Sequence, residues 1–196
     1  HYAIKELCRE MSSPSEASWT ALKRLVRYLK SRPRAVLHFD WQDAVSVVDV
    51  YTDANWAGCR ESRKSTSGGC VLYGNGCVRT WSKTQSTIAT SSAESVLLAC
   101  VKRAAESIGI VALGTDLGMD LNVRLHMGAA AALGILERRG VGKVRHLDVG
   151  TLWLQEKQLR KIIEMKKVSG LLNPGDLLTK HLSRERIDCY SNLLNY

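Results

Sequence analysis

Apolar residues along this chain recur with two different periods. Trp19, Leu22, Leu25, Val26 and Leu29 return every three or four residues, which predicts an amphipathic helix. Ser13-Pro14-Ser15-Glu16 stands before them with the cap, first-turn proline and third-position Glu of a capping box. Lys23, Arg24, Arg27, Lys30 and Arg34 take much of the remaining surface, so this helix carries one apolar and one cationic stripe. Charges of a single sign suit phosphate contact, and a solvated face is the alternative. Beyond residue 34 the pattern changes to short apolar runs separated by turn residues. Val36 to Trp41, Val45 to Tyr51, Cys70 to Tyr73 and Cys77 to Trp81 read as strands. Gly74-Asn75-Gly76 between the last two is a hairpin turn signal.

Helical spacing returns at Ser91-Ser92-Ala93-Glu94 and continues through Val96, Leu97, Val101 and Ala104 to about Ile108. Residues 109–120 are broken by glycine and weakly helical. Asn122 to Met127 is a short strand, Gly128 to Arg139 an alanine-rich helix stopped by Gly140, and His146 to Lys157 another helix. Arg160 to Val168 is the fifth strand of the sheet, and Asn173-Pro174-Gly175 opens a last short helix carrying Asp176. The order of three strands, helix, strand, two helices, strand and helix predicts an α/β fold: a mixed five-stranded sheet flanked by helices. Residues 1–34 read as a separate helical appendage, 35–183 as the main domain and 184–196 as a tail.

The 196 residues are 45% hydrophobic, enough for a sizeable core and against global disorder. A formal net charge of +9 and a pI near 9.4 favour a polyanionic partner such as nucleic acid. Six cysteines are scattered singly, with no Cys-x-x-Cys and no His pair at zinc spacing, which suits buried thiols in a reducing, intracellular setting. Nothing approaches the length of a membrane span or the pattern of a signal peptide. The first residue is His, so a fragment of a longer protein is expected.

Candidate chemistry gathers in Tyr51 to Gly69, YTDANWAGCRESRKSTSGG. Asp53 closes an apolar run, and a carboxylate at the end of a buried strand can hold a hard cation against a phosphate. Ser65-Thr66-Ser67-Gly68-Gly69, helped by Arg63 and Lys64, offers hydroxyls and amides as a phosphate cradle. Trp56 and Trp81 suit either base stacking or core packing. No GxxxxGK[ST], GxSxG or HExxH is present.

YTDANWAG, RKSTSGGCVLYG, TWSKTQSTIATSSAES and LLNPGDLLTKHL, in that order, resemble the ribonuclease H domain of copia-type retrotransposon Pol polyproteins. WTALKRLVRYLKS resembles the end of the reverse transcriptase that precedes it. The resemblance implies a ribonuclease H-like fold, cleavage of RNA in RNA–DNA hybrids with two Mg2+ ions, and partners in the hybrid and the reverse transcriptase portion. Four carboxylates would hold the metal, from the first strand, the first helix, the end of the fourth strand and the last helix. Asp53 and Asp176 match the first and fourth. Val96 stands where the helix carboxylate belongs, and Gly128 where the strand-end Asp belongs. Glu94 is three residues from Ser91, as a capping box requires, and about 200° around the helix from residue 96, so capping is its expected role. Arg145 and His146 match a Lys-His pair of the family and are candidate nucleic-acid contacts, with Arg63, Lys64 and Ser65; a solvent-facing His near a helix start is the other reading of His146. His126, beside the Gly128 position, reads as a strand-end His without function. Two carboxylates cannot clamp two hard dications. The expectation is an impaired ribonuclease H-like domain, or a non-catalytic nucleic-acid-binding remnant of it.

Overall fold

The computed structural model describes residues 1–34, 36–140, 142 and 149–196. Two helices come first, α1 (Tyr2–Cys8) and α2 (Glu16–Ser31). The sheet is built from β1 (Val47–Asn55), β2 (Thr66–Tyr73), β3 (Gly76–Thr84), β4 (Asn122–Met127) and β5 (Ile163–Lys167). Between and after the strands lie α3 (Ser92–Asp116), α4 (Ala130–Glu137), α5 (Val149–Leu159), a 3-10 turn (Pro174–Leu178) and α6 (Arg184–Leu193). Spatial strand order is β3-β2-β1-β4-β5, with β1, β2 and β3 antiparallel in turn and β4 and β5 parallel to β1. This is the expected mixed five-stranded sheet.

Strand β1 explains the layering. Val48 and Val50 point into the main core with Leu97 and Cys100 of α3, Leu125 and Met127 of β4, and Leu154 of α5, and several of these side chains are fully enclosed. Each such side chain contributes about 1.5–3 kcal/mol of burial. Tyr51, one residue out of phase, packs on the other face with Cys70, Leu178 and Leu194. The sheet is therefore covered on both sides. Gly68 and Gly69 are required by this closeness: a Cβ at Gly68 would lie 2.7 Å from Leu178 O, and one at Gly69 2.0 Å from Tyr51 O.

Several expectations need correction. Residues 36–41 form no strand. The segment runs extended past the hairpin, where the Gln42 amide donates to Tyr73 O at 3.1 Å and accepts from Asn75 N at 2.8 Å. Side-chain bonds thus satisfy the turn's backbone groups, and Trp41 is left 96% exposed. Helix α3 does not stop near Ile108 but continues through Gly109 to Asp116, because Leu121 packs against Gly114 and Ile108 and Val111 against the core. The cap of α2 is Ser15, paired with Ser18, in place of the expected Ser13. The segment 184–196 holds α6, whose Tyr190 is buried and donates to Gly170 O at 2.6 Å. Helix α1 rests on the sheet: Lys5 Nζ donates to Thr66 Oγ1 at 2.6 Å, and Tyr2 meets His181 edge to face at 5.1 Å. The apolar stripe of α2 (Trp19, Leu22, Val26, Leu29) is exposed.

Candidate active site

Asp53 lies within β1, two residues before its end, and Asp176 lies in the 3-10 turn that crosses the sheet there. The turn forms because Pro174 fixes its first position and the Asn173 side chain accepts from Gly175 N at 3.0 Å. Asn173 Nδ2 also donates to Thr52 O at 3.1 Å, which ties the turn to β1 beside Asp53. Both carboxylates are largely removed from water, Asp53 at 8% and Asp176 at 5% exposure.

Between them sits Lys180. Its ammonium is 3.1 Å from Asp53 Oδ2 and 2.7 Å from Asp176 Oδ1. Thr179 donates its hydroxyl to Asp53 Oδ2, and Arg186 NH1 stands 3.8 Å from Asp176 Oδ2. Burial raises the Asp176 carboxyl above its ordinary range; the Lys180 hydrogen bond opposes that and the Asp53 charge adds to it. Burial works against the Lys180 ammonium too, but Asp53 and Asp176 together leave its pKa raised. Lys180 and Thr179 were missed in the sequence. The signal available was the i,i+4 spacing of Asp176 and Lys180, which puts the two on one side of a helical turn.

The other positions that the resemblance implicates fall at the same end of the sheet or beyond the described residues. Thr52 pairs with Met127 across the parallel strands, so the next residues along are Asp53 and Gly128. Gly128 is exposed, and among the described residues a Cβ there would meet only Asn173 Nδ2, at 3.9 Å. Val96 is buried in the main core on the first full turns of α3. Ser91 caps α3 by accepting from Glu94 N at 3.2 Å, while Glu94 accepts from Thr90 N and Thr90 Oγ1 at 2.6 Å each. The Glu94 carboxylate is thus engaged at the helix start. Arg145 and His146 lie outside the described residues.

The phosphate cradle is corrected. Residues 66–69 belong to β2, where their backbones pair with β1 and β3. Ser65 is fully buried and its hydroxyl accepts from Ala57 N at 3.1 Å, so it is no surface contact for a phosphate. Arg63 is exposed and Lys64 half-buried, in the turn before β2. Trp81 packs in the core, whereas Trp56 is about half exposed and donates its indole N–H to Ala89 O at 2.9 Å. His126 is held by Asp49 Oδ1 at 2.6 Å and stacks on Tyr51 with centroids 4.3 Å apart.

This donor set does not fit a pair of magnesium ions. Asp53 Oδ2 and Asp176 Oδ1 already accept from an ammonium, and among the described residues no three His, Cys, Asp or Glu side chains converge on one point. The arrangement is close to charge-neutral as it stands, with Lys180 and Arg186 against Asp53 and Asp176.

Sheet order, flanking helices and the carboxylate pair at the ends of β1 and the last turn define a ribonuclease H-like α/β domain. No family model matches the chain. It is 32% identical over 193 residues to the retrovirus-related Pol polyprotein from transposon RE2 of Arabidopsis thaliana, and 26% identical over 195 residues to that from transposon TNT 1-94 of Nicotiana tabacum. These alignments cover 97% and 98% of this chain but only 13% and 14% of the polyproteins. Over 106 residues it is 40% identical to secreted RxLR effector protein 161 of Plasmopara viticola, covering 54% of this chain and 74% of that protein. Among solved structures it is similar to a metagenomic ribonuclease H1 from compost (TM-score 0.48, 18% identity, 74% of this chain and 98% of that one). It is also similar to the N-terminal ribonuclease H domain of a Mycobacterium tuberculosis protein (TM-score 0.49, 14% identity, 76% and 98%). Its homologues are retrovirus-related Pol polyproteins of plant transposons, of whose length it spans a small part.

Proposed function

We propose that this domain binds nucleic acid, with RNA–DNA hybrid as the family substrate, and lacks ordinary ribonuclease turnover. The observation that carries this reading is the Lys180 ammonium lodged between Asp53 and Asp176, where a metal-dependent nuclease needs further carboxylates. Val96 and Gly128 in place of two ligands agree with it. The net charge of +9 supports a polyanionic partner, and Arg63 and Lys64 at the turn before β2 are candidate phosphate contacts. Residues 1–34 as the end of a reverse transcriptase, and that enzyme as a neighbour in the polyprotein, belong to the same proposal. Among the described residues no helix is long and apolar enough to cross a membrane.

The test is a cleavage assay on a labelled RNA–DNA hybrid with Mg2+ and then Mn2+. The expected result is binding of the hybrid without cleavage above a trace. Turnover typical of an enzyme in either metal would reject the proposal.

A further inference from the structure

We infer that a cleft between β3 and α3 is a binding site for a phosphate group, held by Lys83 and Lys102 with Arg103 behind them. The cleft measures about 210 Å³ and is lined by Ser67, Lys83, Gln85, Lys102 and Arg103 among others. It shares no residue with the Asp53–Asp176–Lys180 site, and it does not rest on the reading of that site.

Arg79, Trp81 and Lys83 alternate along β3, and Trp81 packs into the core shared with α3. Lys102, Arg103 and Glu106 come from α3. Four cations therefore border this junction with one carboxylate, and that carboxylate is used: Glu106 Oε2 contacts Arg103 NH1 and lies 3.6 Å from Arg79 NH2. Among the described residues Lys83 and Lys102 make no ion pair, and Glu106 attracts Lys102 only from a distance. Their closeness is costly, and the Lys102 pKa is lowered, first by the Lys83 charge and then by burial. Arg103 is 4% exposed, its guanidinium lies 4.1 Å from the Trp81 ring centroid, and its Nε–H has no partner among the described residues.

Buried donors in folded proteins are almost always satisfied, and adjacent ammonium groups call for an anion. A phosphate supplies both, since its oxygens accept charge-assisted bonds from several donors at once. Gln85 Nε2 is already committed to Ser67 Oγ and Ser95 O, and its buried Oε1, which lacks a partner among the described residues, suits an ammonium group. The ligand class is a phosphate monoester or diester, free or in a nucleic-acid backbone.

The test uses the full chain and its K83Q/K102Q variant, both residues being exposed. K157Q/K161Q, at the end of α5 and just beyond it, is the control for loss of two charges. In the first arm, Tm is compared in inorganic phosphate and in chloride at equal ionic strength. In the second, hybrid affinity is titrated against salt, where each lost phosphate contact lowers the log–log slope by about 0.9. K83Q/K102Q is expected to lose the phosphate increment in Tm and about one contact in the slope relative to K157Q/K161Q. Loss in both arms, or in the slope alone, assigns the site to a strand backbone; loss in the first arm alone assigns it to a small phosphate compound. Equal responses from the two variants in both arms would overturn the inference. K102Q alone replaces the double variant if that one is not folded by circular dichroism. A chain that fails to bind hybrid contradicts the proposed function, while the phosphate arm still decides this site.

Discussion

Replacing Lys180 by methionine removes the charge that separates two buried carboxylates and keeps the length of the side chain. At an effective dielectric of about 20, Coulomb's law gives about 5 kcal/mol at the 3.1 Å contact with Asp53 and about 6 kcal/mol at the 2.7 Å contact with Asp176, before desolvation. Breaking a fully buried ion pair from one side costs about 3–5 kcal/mol. The Lys180 side chain is 40% exposed and Arg186 remains near Asp176, so water and that guanidinium screen part of the loss and about 2 kcal/mol is expected. The loss also depends on pH. Asp176 has a raised pKa already, and without the ammonium the pair holds a proton more tightly still. A carboxyl whose folded pKa is raised favours folding at low pH, and that contribution disappears as pH rises through the folded pKa. K180M is therefore expected to be close to the parent in urea unfolding at pH 4 and clearly weaker at pH 8. Adding Asp176→Asn should recover part of the loss at pH 8. An equal deficit at both pH values, or none, would refute the electrostatic account of this site.

Val96→Glu with Gly128→Asp is expected to create magnesium-dependent stabilisation and hybrid cleavage, and calorimetry with and without Mg2+ followed by the cleavage assay reads both; neither appearing would mean that positions 96 and 128 are not the missing ligands. Gly69→Ala should destabilise by at least about 2 kcal/mol, because its Cβ would meet the Tyr51 carbonyl at 2.0 Å and both strands are covered; denaturant unfolding measures it. Asn173→Ala removes the bonds to Thr52 O and Gly175 N and should cost about 1–3 kcal/mol in the same assay. The Cys59 thiol, lowered to about 7 by hydrogen bonds from Ser62 and then Arg9, contributes stability that is present above its unfolded pKa and lost as pH falls through 7. Arg9→Ala should flatten that dependence, as followed by Tm from pH 6 to 9.

The sheet was legible because its signals are local. Alternation in β1, the Gly-Asn turn between β2 and β3 and the Ser91 cap of α3 each act within a few residues, and each appears at or near its expected place. The false strand at 36–41 and the helix α6, hidden in an assumed tail, mark where local pattern fails. The 36–41 segment and α6 are placed by partners more than a hundred residues away in sequence, such as Asn195, whose carbonyl accepts from His38 N and whose amide donates to Asn75 O. The candidate site divides in the same way. The resemblance to the family's motifs pointed to Asp53 and Asp176, and equally to the Val and Gly at the other two positions. The Lys180 bridge and the burial of Ser65 are consequences of packing. The charge of an ammonium can be read from a sequence, but which carboxylates it meets is decided by how the last turn folds back across β1.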